Sequence, residues 1–193
     1  MDAVDRVQQA FAAVPRAGFL PRGARSRAGH DGPILIGHGQ TNSQPRTVAD
    51  MLRLLDVQPG QRVLDVGSGS GWTTALLAHL TGPTGEVVGV ELEPALARWG
   101  AANLAASRMP WAEIHEAAAG VLGAPDRGPW DRILVSAEAQ TLPQPLVDQL
   151  GDPGRLVLPV AGSMTLVVRD HGTLVTSRHG HYRFVPLRTT PGA

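Results

Sequence analysis

The sequence predicts an α/β fold built on a mostly parallel, doubly wound sheet with an antiparallel C-terminal edge. Three observations predict it. From residue 62 onward, short apolar runs alternate with segments of helical period. The first run and the helix after it are separated by a turn carrying Gly67, Gly69 and Gly71. Beyond residue 160 the apolar runs continue with no helix between them, so the last strands must pair as hairpins.

The elements follow in order. Val4, Val7, Phe11 and Val14 share one helical face, which predicts a helix over 2–14. Pro15 and Pro21 break the chain after it, and 28–44 reads as loop with an apolar patch at Ile34, Leu35 and Ile36. Val48, Met51, Leu52 and Leu55 place a helix over 47–57, ended by Pro59 and Gly60. Strands are then expected at 62–66, 86–90, 112–115, 132–135 and 155–160, with helices at 72–80, 94–106 and 145–150. Strands at 165–170, 173–177 and 182–185 close the chain, the first two joined by a turn at His171 and Gly172. Alternating strand and helix imposes right-handed crossovers and a sheet covered on both faces. No linker or repeat interrupts the pattern, and one domain over 1–193 is the expectation.

Bulk composition narrows the function. A hydrophobic share of 42% in 193 residues suffices for a core. Seventeen basic residues, all arginine, balance seventeen acidic ones, so no net field draws the chain to nucleic acid or membrane. The absence of cysteine excludes disulfides, thiolate metal sites and a thiol nucleophile. No apolar run reaches the roughly 20 residues of a membrane span, and MDAVDRVQQAFAAVP lacks the unbroken run of a signal peptide. A cytoplasmic protein is expected. His179 and His181 alternate on one strand, either as a metal-binding pair or as exposed neighbours; with no third ligand nearby, no metal site is expected.

The segment VLDVGSGSGWTTALLAHL, residues 63–80, bears most on chemistry. Glycines at a strand-to-helix turn let backbone N–H groups approach a ligand, and ligands of open parallel sheets sit at the carboxyl ends of strands. A dinucleotide fingerprint wants a small residue where Trp72 stands, and a phosphate-binding loop of the Gly-Lys-Ser/Thr kind needs a lysine this chain does not have. Asp65, two residues before Gly67, would repel a pyrophosphate and attract an ammonium. Glu91 ends the next strand, where a carboxylate can accept from both ribose hydroxyls. Together these describe a pocket for a nucleoside with an amino-acid tail, which is S-adenosylmethionine.

The stretch GHGQTNSQPRTVADMLRLLDVQPGQRVLDVGSGSGWTTALLA resembles the protein-L-isoaspartate O-methyltransferase family. The resemblance continues in WDRILVSAEAQTLPQPLVDQLGDPGRLVLPV, in YRFVPL and in the N-terminal VPRAGFLP. It implies a Rossmann-like class I methyltransferase fold, S-adenosylmethionine as donor, and methylation of the α-carboxyl of L-isoaspartyl residues in damaged proteins or peptides. It places the active-site serine at Ser43 and the cofactor loop on Asp65, Gly67, Ser68, Gly69, Ser70 and Gly71. The ribose acid falls on Glu91, with Leu92 beside it. Gln40, Thr41 and Asn42 become substrate-side residues. Such an enzyme works on a protein or peptide and is expected to be a monomer.

Ser43 also has a plainer reading as the N-cap of the helix that follows it, whose first N–H groups could hold a carboxylate. Three positions depart from the family: Asn42 replaces a bulky apolar residue, Ala119 falls where an acid near the adenine amino group is usual, and Trp72 is a mild change at the aromatic after the third glycine. Asn42 leaves open a carboxyl methyltransferase acting on ordinary aspartate in ribosomally made peptides. Ala119 leaves open a cofactor-binding module without turnover.

Overall fold

The computed structural model describes residues 5–190. Helix α1 spans Arg6–Ala13, with Asp5 as N-cap accepting from the N–H groups of Val7 and Gln8. Val4, assigned to this helix from its spacing, lies outside the described residues. Two 3-10 turns follow, at Arg16–Phe19 and Arg22–Arg27.

Residues 28–44 are not all loop. Strands β1 (Ile34–Gly37) and β2 (Gln40–Asn42) form an antiparallel hairpin. Its turn runs through left-handed conformations at Gly37, His38 and Gly39. Ile34 and Ile36 are buried while Leu35 is 71% exposed. This period-two burial is invisible in the sequence because all three residues are apolar.

Helix α2 spans Pro45–Leu55, beginning and ending two residues before its expected bounds. Pro45 occupies the first turn, where its missing N–H costs nothing. The seven-stranded sheet then assembles from β3 (Arg62–Val66), β4 (Glu86–Glu91), β5 (Ala112–Glu116), β6 (Trp130–Val135), β7 (Leu150–Val160), β8 (Ser163–Asp170) and β9 (Thr173–His181). Strand order is β5-β4-β3-β6-β7-β8-β9. β3 to β7 are parallel, and β8 and β9 return antiparallel. Helices α3 (Trp72–Thr81), α4 (Pro94–Ala106) and α5 (Gln144–Asp148) provide crossovers. α5 stops before Leu150, which the sequence reading put in the helix, because Leu150 already pairs with Trp130 in the sheet.

One core face packs α1, α2, α3 and Leu104 of α4 against Val63, Val87, Leu134 and Val157. The opposite face gathers Trp130, Leu146, Val147 and Leu150 over Leu64, Val88, Ile133 and Leu156. Strand order reverses at β3, between β4 and β6, so the crevice beyond its carboxyl end is where this architecture binds ligands.

The strand expected at 182–185 is absent. β9 ends at His181, and the chain crosses to the ends of the parallel strands. There the Glu138 N–H donates to the Val185 carbonyl at 2.8 Å and the Leu187 N–H to the Glu138 carbonyl at 2.7 Å. The backbone of 182–187 is spent on a loop rather than on a neighbouring strand, and that carries it to the crevice.

Candidate active site

Five residues, Gly67 to Gly71, turn the chain from β3 into α3. Gly71 has φ +88, and a Cβ there would stand 2.8 Å from the Gly100 carbonyl oxygen, a backbone atom of α4. Only glycine fits. The Gly67 and Ser68 N–H groups donate to the Val90 carbonyl at 2.9 and 3.2 Å, and the Gly71 N–H to the Ser68 carbonyl at 2.8 Å. The Gly69 N–H donates to Glu91 Oε2 at 2.7 Å. Four of the loop's five N–H groups are thus spent inside the protein. A pyrophosphate would find almost no donors here and would meet the Glu91 carboxylate.

Glu91 is buried, and its Oε1 accepts from the Glu93 N–H at 3.0 Å. Each oxygen keeps a second lone pair, enough to receive a pair of ribose hydroxyls. Asp65 is wholly buried under the loop. Its Oδ2 accepts from the hydroxyls of Thr73 and Thr74 at 2.8 and 2.7 Å. Its Oδ1 and the Ser68 hydroxyl are buried with no partner. Burial pushes the Asp65 carboxyl up to about 6, against the Thr74 and Thr73 hydroxyls and with the help of Glu91.

A cleft opens above the loop. Its walls include Gln40, Thr41, Asn42, Ser43, Gly67, Ser68, Gly69, Ser70, Glu91 and Leu92, all expected site residues. Three expected residues are not in its walls. Asp65 lies beneath, anchoring the start of α3 through two threonines. Gly71 is packed against α4. Ala119 is displaced from the cleft, whose wall here is Ala117, Val121, Leu122 and Gly123. Sequence reasoning missed those apolar residues, as well as Ser136, Ala137 and the segment Val185 to Arg188. Only YRFVPL hinted at the last of these.

Ser43 is not a helix cap. The N-cap of α2 is Gln44, with no side-chain capping bond. The Arg46 N–H instead donates to the Asp31 carboxylate at 3.1 Å, which holds that carboxyl below its usual range. The helix start is therefore already engaged by the chain's own acid. Asn42 is buried and turned inward: Arg16 Nε donates to its Oδ1 at 2.6 Å, and its Nδ2 donates to Ser70 Oγ at 3.0 Å.

A second groove meets the first. The two share Thr41, Ser43, Ser136 and Val185. The groove is walled further by Arg46, Asp50, His181, Tyr182, Arg183 and Phe184, and the Tyr182 hydroxyl donates to Asp50 Oδ2 at 3.0 Å. Ser43 thus stands where the two cavities join. His179 bonds the Ser177 hydroxyl at 2.8 Å, and no group of three or more His, Asp or Glu among the described residues is arranged to hold a metal.

A family model described as protein-L-isoaspartate(D-aspartate) O-methyltransferase matches residues 1–191. The chain belongs to this family. A protein-L-isoaspartate O-methyltransferase of Aeropyrum pernix is 46% identical over 187 residues, covering 94% of this chain and 72% of that protein. That of Methanocella arvoryzae is 43% identical, covering 90% and 94%. A Plasmodium falciparum structure described as a protein-L-isoaspartate O-methyltransferase, in complex with S-adenosyl-L-homocysteine, superimposes with a TM-score of 0.85 at 28% identity, over 98% of this chain and 93% of that one. The Rossmann-like class I methyltransferase fold follows from that likeness together with the sheet order. No helix among the described residues is long and apolar enough to cross a membrane.

Proposed function

We infer that this member of the isoaspartate methyltransferase family transfers the methyl group of S-adenosylmethionine to the α-carboxyl of L-isoaspartyl residues in damaged proteins or peptides. The observation that carries the reading is the junction at Ser43 between the cleft above the glycine loop and the second groove. Match over nearly the whole chain to the family supports the same substrate.

S-adenosylmethionine supplies an electrophilic methyl group on a sulfonium. Glu91 would hold the ribose hydroxyls, Leu92, Val121 and Leu122 would flank the base, and the 67–71 loop would receive the amino-acid tail. The substrate carboxylate is ionised at neutral pH, so no general base is needed. The protein's task is alignment and exclusion of water. The Ser43 hydroxyl donates to one carboxylate oxygen and fixes the other for in-line attack, while Thr41 and Gln40 border the acceptor. Asn42 has its amide spent on Arg16 and Ser70, which removes the support it lent to an aspartate-directed reading. We take it to work as a monomeric single-domain enzyme in the cytoplasm.

The test is mass spectrometry of two matched peptides, one with isoaspartate and one with aspartate, incubated with the protein and S-adenosylmethionine. A methyl ester or succinimide from the isoaspartyl peptide alone is expected. Product from the aspartyl peptide, or none from either, overturns the reading. Light scattering that returns a dimer mass would remove the monomer.

A further inference from the structure

Arg16 lies in a 3-10 turn far from the glycine loop in sequence, yet the residue is 5% exposed and its guanidinium sits 5.4 Å from the centre of the Trp72 ring. Its partners are all uncharged. Nη1 donates to the His30 carbonyl at 2.9 Å, and Nη2 points at the carbonyls of Gly32, Asn42 and Ser43 at 2.9, 3.0 and 2.8 Å. Nε donates to Asn42 Oδ1 at 2.6 Å.

This last bond fixes a direction. A guanidinium has donors and no acceptor, so the oxygen of the Asn42 amide must face it. The amide nitrogen then faces Ser70, 3.0 Å away, and can only donate. Ser70 Oγ must accept. Its own proton is consequently free of Asn42 and turned toward other company. Ser70 is buried to 3% and forms part of the cleft wall, on the loop that receives the amino-acid tail of the cofactor.

We propose that Asn42 is a positioning residue that orients the Ser70 hydroxyl as a hydrogen-bond donor to the carboxylate of the cofactor's amino-acid tail. Arg16 sets the polarity of the chain, Asn42 relays it, and Ser70 delivers it. The same guanidinium grips the Ser43 carbonyl, so the donor side and the acceptor side of the reaction hang from one buried cation. The inference rests on the cleft being the S-adenosylmethionine site.

Asn42→Asp tests it without emptying the space. The carboxylate still accepts from Arg16, but toward Ser70 it can only accept, so the Ser70 proton is consumed. Calorimetry with two probes separates the outcomes: S-adenosylhomocysteine, which has the amino-acid tail, and methylthioadenosine, which lacks it. Asn42→Asp should weaken S-adenosylhomocysteine about 10-fold and leave methylthioadenosine unchanged. Ser70→Ala should reproduce that selective loss, and the double variant should lose no more than Ser70→Ala alone. Equal weakening of both probes, or none of either, overturns the proposal. If Asn42→Asp does not fold, Ser70→Ala with unaltered S-adenosylhomocysteine affinity overturns it instead. Failure of the unaltered protein to bind either probe would strike the cofactor assignment rather than the relay.

Discussion

Glu91 Oε2 accepts the backbone N–H of Gly69 at 2.7 Å, joining the end of β4 to the loop that leaves β3. With Oε1 on the Glu93 N–H, the carboxylate is fixed before any ligand arrives. Glu91→Gln has one acceptor where the protein supplies two donors, and its amide hydrogens turn toward an N–H. S-adenosylhomocysteine should bind about 10- to 100-fold more weakly, since a hydrogen bond to a charged group contributes about 1.5–3 kcal/mol. Titration calorimetry reads this directly, and unchanged affinity would remove Glu91 from the ribose.

Ser43→Ala should reduce kcat/KM for an isoaspartyl peptide about 10- to 100-fold, by the same magnitude for a bond to a carboxylate. Affinity for S-adenosylhomocysteine should hold, because the Ser43 carbonyl gripped by Arg16 is retained. A full rate in Ser43→Ala would leave alignment to other groups.

Asp65 makes stability depend on pH in an unusual direction for a carboxylate. Its folded value stands at about 6 against 3.8 in the unfolded chain, chiefly through burial. Between these values the folded protein keeps a proton that the unfolded chain has lost. Stability from this group is therefore present below pH 4, falls as pH rises to 6, and stays low beyond. The loss is about 3 kcal/mol at most. Urea melts of the ligand-free protein across this window should show the decline, and Asp65→Asn should flatten it. Parallel slopes for the two proteins would contradict the assignment.

Tyr182→Phe removes the hydroxyl that reaches Asp50 across the second groove. A single hydrogen bond contributes about 0.5–1.5 kcal/mol, so KM for the peptide should rise about 2- to 10-fold with S-adenosylhomocysteine binding unaltered. Steady-state kinetics at saturating cofactor measure it. A change confined to cofactor binding would place Tyr182 on the wrong side of Ser43.

The parallel sheet and the cofactor turn were legible because their signals are local. Strand–helix alternation and alternating glycines need only neighbouring residues. Ser43, Thr41 and Glu91, which line the cleft, were singled out the same way, through a short motif and a strand end. Asp65 was read as an acid at a strand end; the two threonines after the turn that claim one of its oxygens, leaving the other without a partner, were not foreseen. Arg16 lay within VPRAGFLP, but its place in the site left no trace: a cation held by carbonyls has neither a charged partner nor a period. The 185–188 wall was missed for a related reason. A segment expected as a strand ends its ladder at His181 and becomes a cleft lining only through bonds to the loop after β6. Ala119 illustrates a third limit, since the loop between β5 and β6 offers no periodicity that fixes which residue faces inward.

The two cavities share Thr41, Ser43, Ser136 and Val185 in their walls. With the donor in the first and the acceptor in the second, as proposed, neither molecule would have to pass through the other's seat. A spent nucleoside could then leave while a long polypeptide stayed in its groove. For a protein with several damaged sites on one chain, the enzyme would not need to let go of its client to reload.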